Sequence, residues 1–421
     1  MQIHNPPSTK SKNTFKRPQL INNGSFSPVR LAWMHTTMQR YVDNGYAPGL
    51  VTLIHRHGHE YVDTIGTMAF NSNTPIQRDT IFRLASMTKP VTAVAAMILV
   101  EECRLRLDDP VDEWLPELKD RRVLRTIDSP LDDTVPAIRP ITVRDLFTFR
   151  SGYGEVAFIS PGCPLQKAMM EARLPLTEWI FPGTPGEFMK RLGNLPIAYQ
   201  PGERWLYHMS AEILGVLISR VTGQSLGQFF QERIFEPLGM KDTGFYVPEA
   251  KINRLPTCYG TDMFTGKLAV MDEARGGQMA QPPLFEAGAG GLVSTIDDMA
   301  AFGVMLLNKG AYGGEHILSH PSVELMTMDH LTPEQKAVSP FFEHFWETRG
   351  WGLGIGVGTK CNDLGAMPGG FGWDGAFGTS WYVDPKEDLV GILMIQRRPD
   401  VLNIPAITHD FWASVYQLIE D

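Results

Sequence analysis

The stretch FRLASMTKPVTAVAAMILVEE, residues 82–102, is the most informative part of this chain. It contains Ser86 and Lys89 three residues apart, and side chains at that spacing on a helix lie on the same face. Lys89 is the only charged residue between Leu84 and Val100, in a predicted helix that is apolar on all sides. Because exposed lysines usually have polar neighbours, we predict that Lys89 is buried beside Ser86.

A serine and a lysine at this spacing suit nucleophilic catalysis. A serine hydroxyl becomes a good nucleophile when a neighbouring base takes its proton, and desolvation can lower the pKa of a lysine enough for that role. At the start of a helix the backbone N–H of Ser86 also points outward, where it can stabilise a developing oxyanion. The bare pattern arises by chance on the order of once in such a chain, so it needs support from other segments.

A competing serine occurs in Gly223-Gln224-Ser225-Leu226-Gly227, which matches the GxSxG nucleophile elbow. That elbow needs a β-strand before the serine, whereas the preceding AEILGVLISRV has apolar residues at helical spacing. We therefore interpret Gly223 as a helix C-cap and Ser225 as lying near the N-cap of the next helix.

Composition and charge restrict the partners. The 421 residues have a formal net charge of −9, which disfavours nucleic acid or an anionic membrane face and leaves a small-molecule substrate. Four widely spaced cysteines show no ligand spacing, so we expect no disulfide framework, metal site or cofactor. Residues 1–25 are polar and lack the apolar segment of a signal peptide, which predicts a flexible leader on a cytoplasmic protein. The sequence does not define the oligomeric state.

Strand signals lie near both ends of the chain. Two β-rich runs, 50–56 and 59–66, meet at a turn, and a second pair, 378–384 and 389–396, predicts another hairpin. The run GWGLGIGVG, 350–358, also has strand character.

Helical periodicity marks the two ends and the middle. A helix begins at Pro28, and a final helix has Ile407, Phe411, Val415 and Leu418 on one face. We predict an α/β (α+β) fold, in which an antiparallel sheet flanked by N- and C-terminal helices is formed from 26–106 and 285–421. A mostly helical domain, 107–284, is inserted, and the active site lies at the interface.

Five segments in the same order resemble the serine β-lactamase-like superfamily, with the class C β-lactamase fold, and most closely its family VIII carboxylesterases. The first is FRLASMTKPVTAVAAMILVEE continuing into RLRLDDPVDEWLPEL, and the second is ITVRDLFTFRSGYG. The others are YQPGERWLYHMSAEILGVLISRVTG, GAGGLVSTIDDMAAFGVMLLNKG and FGWDGAFGTSWYVDP. The resemblance spans roughly residues 30–420, and ordered agreement of this kind is more specific than one motif.

The resemblance implies a catalytic set of Ser86, Lys89 and Tyr207. Tyr207 would be the general base, held as a phenolate by Lys89, although the resemblance leaves open whether Lys89 is the immediate base. The backbone N–H groups of Ser86 and Ala376 would form the oxyanion hole. A tyrosine hydroxyl is protonated in water at neutral pH, so a phenolate needs a nearby cation. His208 is a minor alternative proton carrier, because adjacent residues usually point apart.

The substrate-binding positions depart from the penicillin-recognising pattern. Met209 stands where that pattern has an amide-binding asparagine, and Trp373-Asp374-Gly375 stands where it has Lys-Thr-Gly. Trp373 has no charge for a substrate carboxylate, so these residues favour a neutral, short-chain ester. Trp346 and Trp351 could line a pocket or fill the core.

Three functions follow from these patterns. The first is a carboxylesterase that forms an acyl-enzyme at Ser86. The second is a β-lactamase, amide hydrolase or acyltransferase on the same fold. The third, of another class, is a non-catalytic binding protein on a hydrolase fold that has lost its activity.

Overall fold

The computed structural model describes residues 26–174, 180–262, 265–361, 367–399 and 405–419, so the predicted leader lies outside the described residues. The helices are α1 Pro28–Asp43, α2 Thr88–Glu101, α3 Val143–Phe147, α4 Pro164–Glu171, α5 Pro185–Gly193, α6 Met209–Thr222, α7 Leu226–Phe230, α8 Glu236–Leu238, α9 Ile296–Leu307, α10 His320–Met326, α11 Pro333–Ala337, α12 Phe345–Thr348 and α13 Ala406–Tyr416. The strands are β1 Gly49–Arg56, β2 His59–Gly66, β3 Phe82–Arg83, β4 Arg122–Leu124, β5 Thr134–Pro136, β6 Cys258–Thr261, β7 Leu268–Asp272, β8 Val293–Ser294, β9 Ala311–Tyr312, β10 Glu315–His316, β11 Arg349–Trp351, β12 Gly356–Gly358, β13 Phe371–Asp374, β14 Ser380–Asp384 and β15 Leu389–Ile395.

A large antiparallel sheet joins the two ends of the chain. Its strand order is β11-β12-β13-β14-β15-β1-β2, and β1 pairs with β15 so that Leu53 lies opposite Ile392. The predicted hairpin between β1 and β2 turns at His57 and Gly58, both at positive φ, as a two-residue hairpin loop requires. The second predicted hairpin is β14–β15. These elements confirm the predicted fold class.

Helices cover both faces of the sheet. On one face α1 and α13 pack together, and Met34, Met38, Phe411 and Val415 are buried there with apolar residues of β1 and β15. On the other face α9 packs against β1, β14 and β15. The apolar stripes predicted for the two terminal helices are therefore core-facing.

One predicted strand is divided. The run 350–358 forms two short strands, β11 and β12, which pair with each other around a turn at Gly354 (φ 74°). Alternating glycines are compatible with an extended strand, but glycine also adopts the positive φ that a tight turn needs. The sequence of this run therefore does not distinguish one strand from two strands joined by a turn.

Helices α2 and α6 pack against each other and place the conspicuous sequence segments together. Residues 88–99 of α2 are buried throughout, as the unbroken apolar run predicted. All strands of the large sheet come from 49–66 and 349–395, while α3 to α8 lie within 107–284. Among the helices of the described residues, none has the length and hydropathy needed to cross a membrane.

Candidate active site

Ser86 lies at the entrance to α2, on a single 3-10 turn formed by Ala85–Met87. Ala85 has a φ of 46°, a left-handed conformation that costs a non-glycine residue free energy and is common at functional sites. Ser86 is 8% exposed, so its hydroxyl is largely desolvated but still reachable. The spacing of Ser86 and Lys89 therefore spans the junction between the 3-10 turn and α2, and the turn orients the serine.

Lys89 is buried in the second position of α2, with 1% of its surface exposed. Its Nζ donates hydrogen bonds to Ser86 Oγ at 2.9 Å and to the backbone oxygen of Ala289 at 2.7 Å. Burial lowers the pKa of Lys89 to about 7, although the negative charge of Glu212 acts in the opposite direction. A lysine with this pKa exists as both amine and ammonium near neutral pH, so it can act as a base.

Tyr207 stands beside this pair just before α6. Its hydroxyl accepts a hydrogen bond from Trp373 Nε1 at 2.8 Å and also hydrogen-bonds with Ser86. Burial raises the pKa of Tyr207 well above its usual value, although the hydrogen bonds with Ser86 and Trp373 act in the opposite direction. Lys89 Nζ lies over the ring, 4.6 Å from its centroid. The cation therefore contacts the ring face of Tyr207, and the phenolate stays a prediction.

The end of β13 passes directly beside the turn that carries Ser86. A Cβ added at Gly375 would come within 2.3 Å of the backbone oxygen of Leu84, so only glycine fits there. This close approach brings the backbone of Ala376 to the side of the site where the oxyanion hole is predicted. The hole itself stays a prediction.

The predicted substrate-binding residues are not equivalent in the structure. Trp373 faces Tyr207, whereas both carboxylate oxygens of Asp374 accept hydrogen bonds from within the sheet, from Ser380 Oγ at 2.6 Å and Tyr382 OH at 3.0 Å. Met209 is fully buried at the start of α6. Direct substrate contact by these residues stays a prediction.

Several aromatic rings pack around the ring of Tyr207. The ring of Phe341 lies 4.9 Å from both Tyr207 and Trp205, and it stacks on Trp373 at 6.3 Å. Phe158 meets Phe341 edge-on at 4.9 Å. We call these five residues the aromatic wall. Trp346 and Trp351 both contact Trp205 of this wall edge-on, and Trp351 is fully buried.

His208 and Glu212 both lie beside Lys89, although the sequence predicts only a minor role for His208 and none for Glu212. His208 Nδ1 lies 3.4 Å from Lys89 Nζ, and His208 Nε2 lies 3.4 Å from Glu212 Oε1. Glu212 could have been noticed, because it is the only acidic residue in the apolar run AEILGVLISRV. Phe341 left no such signal, since it is distant in sequence from Trp205 and Tyr207, which it contacts.

Ser225 has the structural role predicted for it. Its hydroxyl oxygen accepts a hydrogen bond from the Gln228 backbone N–H at the start of α7, and its O–H donates to Glu286. The preceding element is helix α6, closed by Gly223 at a φ of 73°, so no strand-to-helix elbow exists here.

The fold and the serine–lysine–tyrosine site define a serine hydrolase of the β-lactamase-like superfamily. The family model described as Beta-lactamase matches residues 34–408, and the chain belongs to that family. An uncharacterised protein of Mycobacterium tuberculosis is 40% identical over 87% of this chain and 90% of its own length. A lovastatin esterase of Penicillium rubens is 31% identical over 86% of this chain and 92% of its own length.

Among solved structures, EstCE1, described as a hydrolase with promiscuous acyltransferase activity, superimposes with a TM-score of 0.75. It is 22% identical and covers 92% of this chain and 98% of its own, so this likeness concerns the fold. The family and these relatives support a hydrolase or an acyltransferase of the serine β-lactamase fold.

Proposed function

We propose that the protein is a carboxylesterase of the family VIII type that hydrolyses small, uncharged, short-chain esters. The observation that carries the proposal is the 2.9 Å contact between Ser86 Oγ and the buried Nζ of Lys89. Burial lowers the pKa of Lys89 to about 7, which makes it a suitable base near neutral pH.

In the acylation step, the amine form of Lys89 accepts the proton of Ser86 while Oγ attacks the ester carbonyl carbon. The backbone N–H groups of Ser86 and Ala376 stabilise the oxyanion. Tyr207 gives its proton to the leaving alcohol oxygen as the ester bond breaks, and the ammonium of Lys89 restores that proton. Water then attacks the acyl-enzyme by the same proton transfers in reverse, which frees the acid.

The surroundings favour a neutral and apolar substrate. Trp373 stands where related penicillin-recognising sites have a cation, and its indole N–H is already bound to Tyr207. The aromatic wall offers ring faces rather than charges, so it contributes to binding mainly by burying apolar area. A substrate carboxylate would lose its hydration here without gaining a partner.

Hydrolysis of p-nitrophenyl acetate by wild type, Ser86→Ala and Ser225→Ala tests this proposal. We expect Ser86→Ala to be inactive and Ser225→Ala to keep the wild-type rate, and a fluorophosphonate should modify Ser86 as located by mass spectrometry. The opposite pattern of activities would reject Ser86 as the nucleophile. Failure of the probe to label the intact protein would instead favour the non-catalytic binding protein.

Acyl transfer is a second candidate, favoured by the aromatic wall. An apolar alcohol can bind to rings beside Ser86 where water gains little, and a bound acceptor then competes with water for the acyl-enzyme. The measurement is the ratio of ester to acid formed from p-nitrophenyl acetate with added alcohols. We expect nitrocefin, a β-lactam, to be turned over far more slowly than the ester, because Met209 and Trp373 supply neither an amide nor a cation.

A further inference from the structure

A carboxylate is buried directly behind the catalytic lysine. Glu212 lies in the first turn of α6 with its side chain fully buried. Within the described part of the chain, neither of its carboxylate oxygens has a hydrogen-bond partner. Burying a carboxylate without hydrogen bonds is costly, so its presence points to a charge that the site uses.

His208 lies between this carboxylate and the lysine. Its Nε2 is 3.4 Å from Glu212 Oε1, and its Nδ1 is 3.4 Å from Lys89 Nζ. An Nε2–H tautomer turns its N–H side toward the carboxylate, at a distance that does not form a hydrogen bond, and its Nδ1 lone pair toward the ammonium.

The backbone at His208 is strained in a way that produces this placement. Its φ of 79° and ψ of −65°, with a hydrogen bond from the Met209 N–H to the Tyr207 oxygen, form a γ-turn of the rare, strained type. The turn directs the rings of both Tyr207 and His208 toward Lys89, although adjacent side chains usually point apart. Strain of this kind persists where a functional geometry requires it.

We propose that Glu212 and His208 are a pair of positioning residues that sets the protonation of Lys89. The carboxylate stabilises the ammonium that Lys89 becomes when it accepts the Ser86 proton, and the imidazole holds that ammonium against Ser86. This inference rests on the proposed function and adds two residues to its machinery.

The charges around Lys89 give the direction of the effect. Glu212 of α6 faces Lys89, and so do Tyr207 and His208 of the γ-turn that precedes α6. Burial lowers the pKa of His208, and so does the positive charge of Lys89, which leaves the imidazole neutral near neutral pH. Glu212 is then the charge that raises the pKa of Lys89 against desolvation. Asp374 acts instead on Tyr207, where its charge raises the pKa of that tyrosine.

The test is the pH dependence of kcat/KM for p-nitrophenyl acetate from about pH 5 to about pH 9. In Glu212→Gln we expect the midpoint of the acidic limb to move to lower pH by on the order of one unit. We expect the plateau rate to fall several-fold as well, because a lysine with a lower pKa is a weaker base. Glu212→Asp, which restores the charge, should return the midpoint toward the wild-type value.

Two further variants separate this role from a structural one. Glu286→Gln removes a carboxylate that binds Ser225 and the Gly227 N–H at the start of α7, so it should leave the profile unchanged. His208→Asn keeps a polar group near Lys89 but loses the contact with Glu212, and should shift the midpoint in the same direction as Glu212→Gln. A folded Glu212→Gln protein with an unshifted midpoint would overturn the proposal.

The rate of fluorophosphonate labelling at Ser86 provides the same pH profile without a turnover substrate. If wild type labels at Ser86 but hydrolyses no ester, the proposed function fails while the labelling profile still tests Glu212. If esters are hydrolysed and the profiles of all variants coincide, only the positioning role fails. Should Glu212→Gln not fold, His208→Asn decides the question.

Discussion

Replacing Lys89 with methionine removes the buried ammonium and should change how stability depends on pH. In the folded protein the pKa of Lys89 is lowered to about 7 from an ordinary value of 10.5, chiefly by desolvation. Between these two values the unfolded chain binds more protons than the folded protein, so the contribution of Lys89 to the free energy of unfolding becomes more favourable as pH rises.

The size of the effect follows from the same two values. One pKa unit corresponds to about 1.4 kcal/mol, so ionisation of Lys89 destabilises the folded protein by roughly 4 kcal/mol near pH 7. Near pH 9 the penalty is about 2 kcal/mol, because the unfolded lysine is still charged while the folded one is neutral. The difference in unfolding free energy between Lys89→Met and wild type should therefore shrink by about 2 kcal/mol across that interval.

Urea unfolding followed by tryptophan fluorescence at several pH values measures this difference. Lys190→Met is a matched control, because Lys190 is exposed on α5 and its removal should leave the pH dependence unchanged. A constant difference between Lys89→Met and wild type from about pH 7 to about pH 9 would show that Lys89 stays charged in the fold. It could then not act as the base that accepts the Ser86 proton.

Three other substitutions test neighbouring parts of the site. Trp373→Phe removes the N–H that binds Tyr207, so we expect kcat to fall by roughly 3- to 10-fold with little change in KM. Steady-state kinetics measures both constants, and an unchanged kcat would contradict this role. Gly375→Ala should abolish activity, because its Cβ would meet the Leu84 oxygen; near wild-type turnover with a native circular dichroism spectrum would exclude that clash. Ser225→Ala should lower the free energy of unfolding by about 1 kcal/mol through loss of a helix cap, while esterase activity persists.

The sequence was sufficient to predict the contact between Ser86 and Lys89 and the sheet and helices that hold it. An isolated lysine in an apolar helix predicted burial beside Ser86, and the two hairpins and terminal helices predicted the sheet with its covering layers. The competing Ser225 could be assigned to a helix cap because the preceding residues have helical periodicity. These features are local, so their physics can be read from neighbouring residues.

Features that depend on tertiary packing could not be predicted in the same way. The protonation state of Tyr207 depends on how deeply its ring is buried and on which part of the ring Lys89 contacts. Neither follows from the spacing of these residues in the sequence. Adjacent side chains usually diverge, so the sequence predicts only a minor role for His208, whereas a strained turn directs its ring toward Lys89. Phe341 contacts Tyr207, although the two residues are more than a hundred positions apart in the sequence.

The pairing of β1 with β15 also determines when a newly made chain can become reactive. Ser86 is synthesised well before β13 to β15, which bring Gly375 beside Leu84 and complete the sheet. Pairing of such distant segments forms late because a long loop must close first. Until β13 to β15 have been made and paired, Ser86 therefore lacks the setting in which we propose that it is activated.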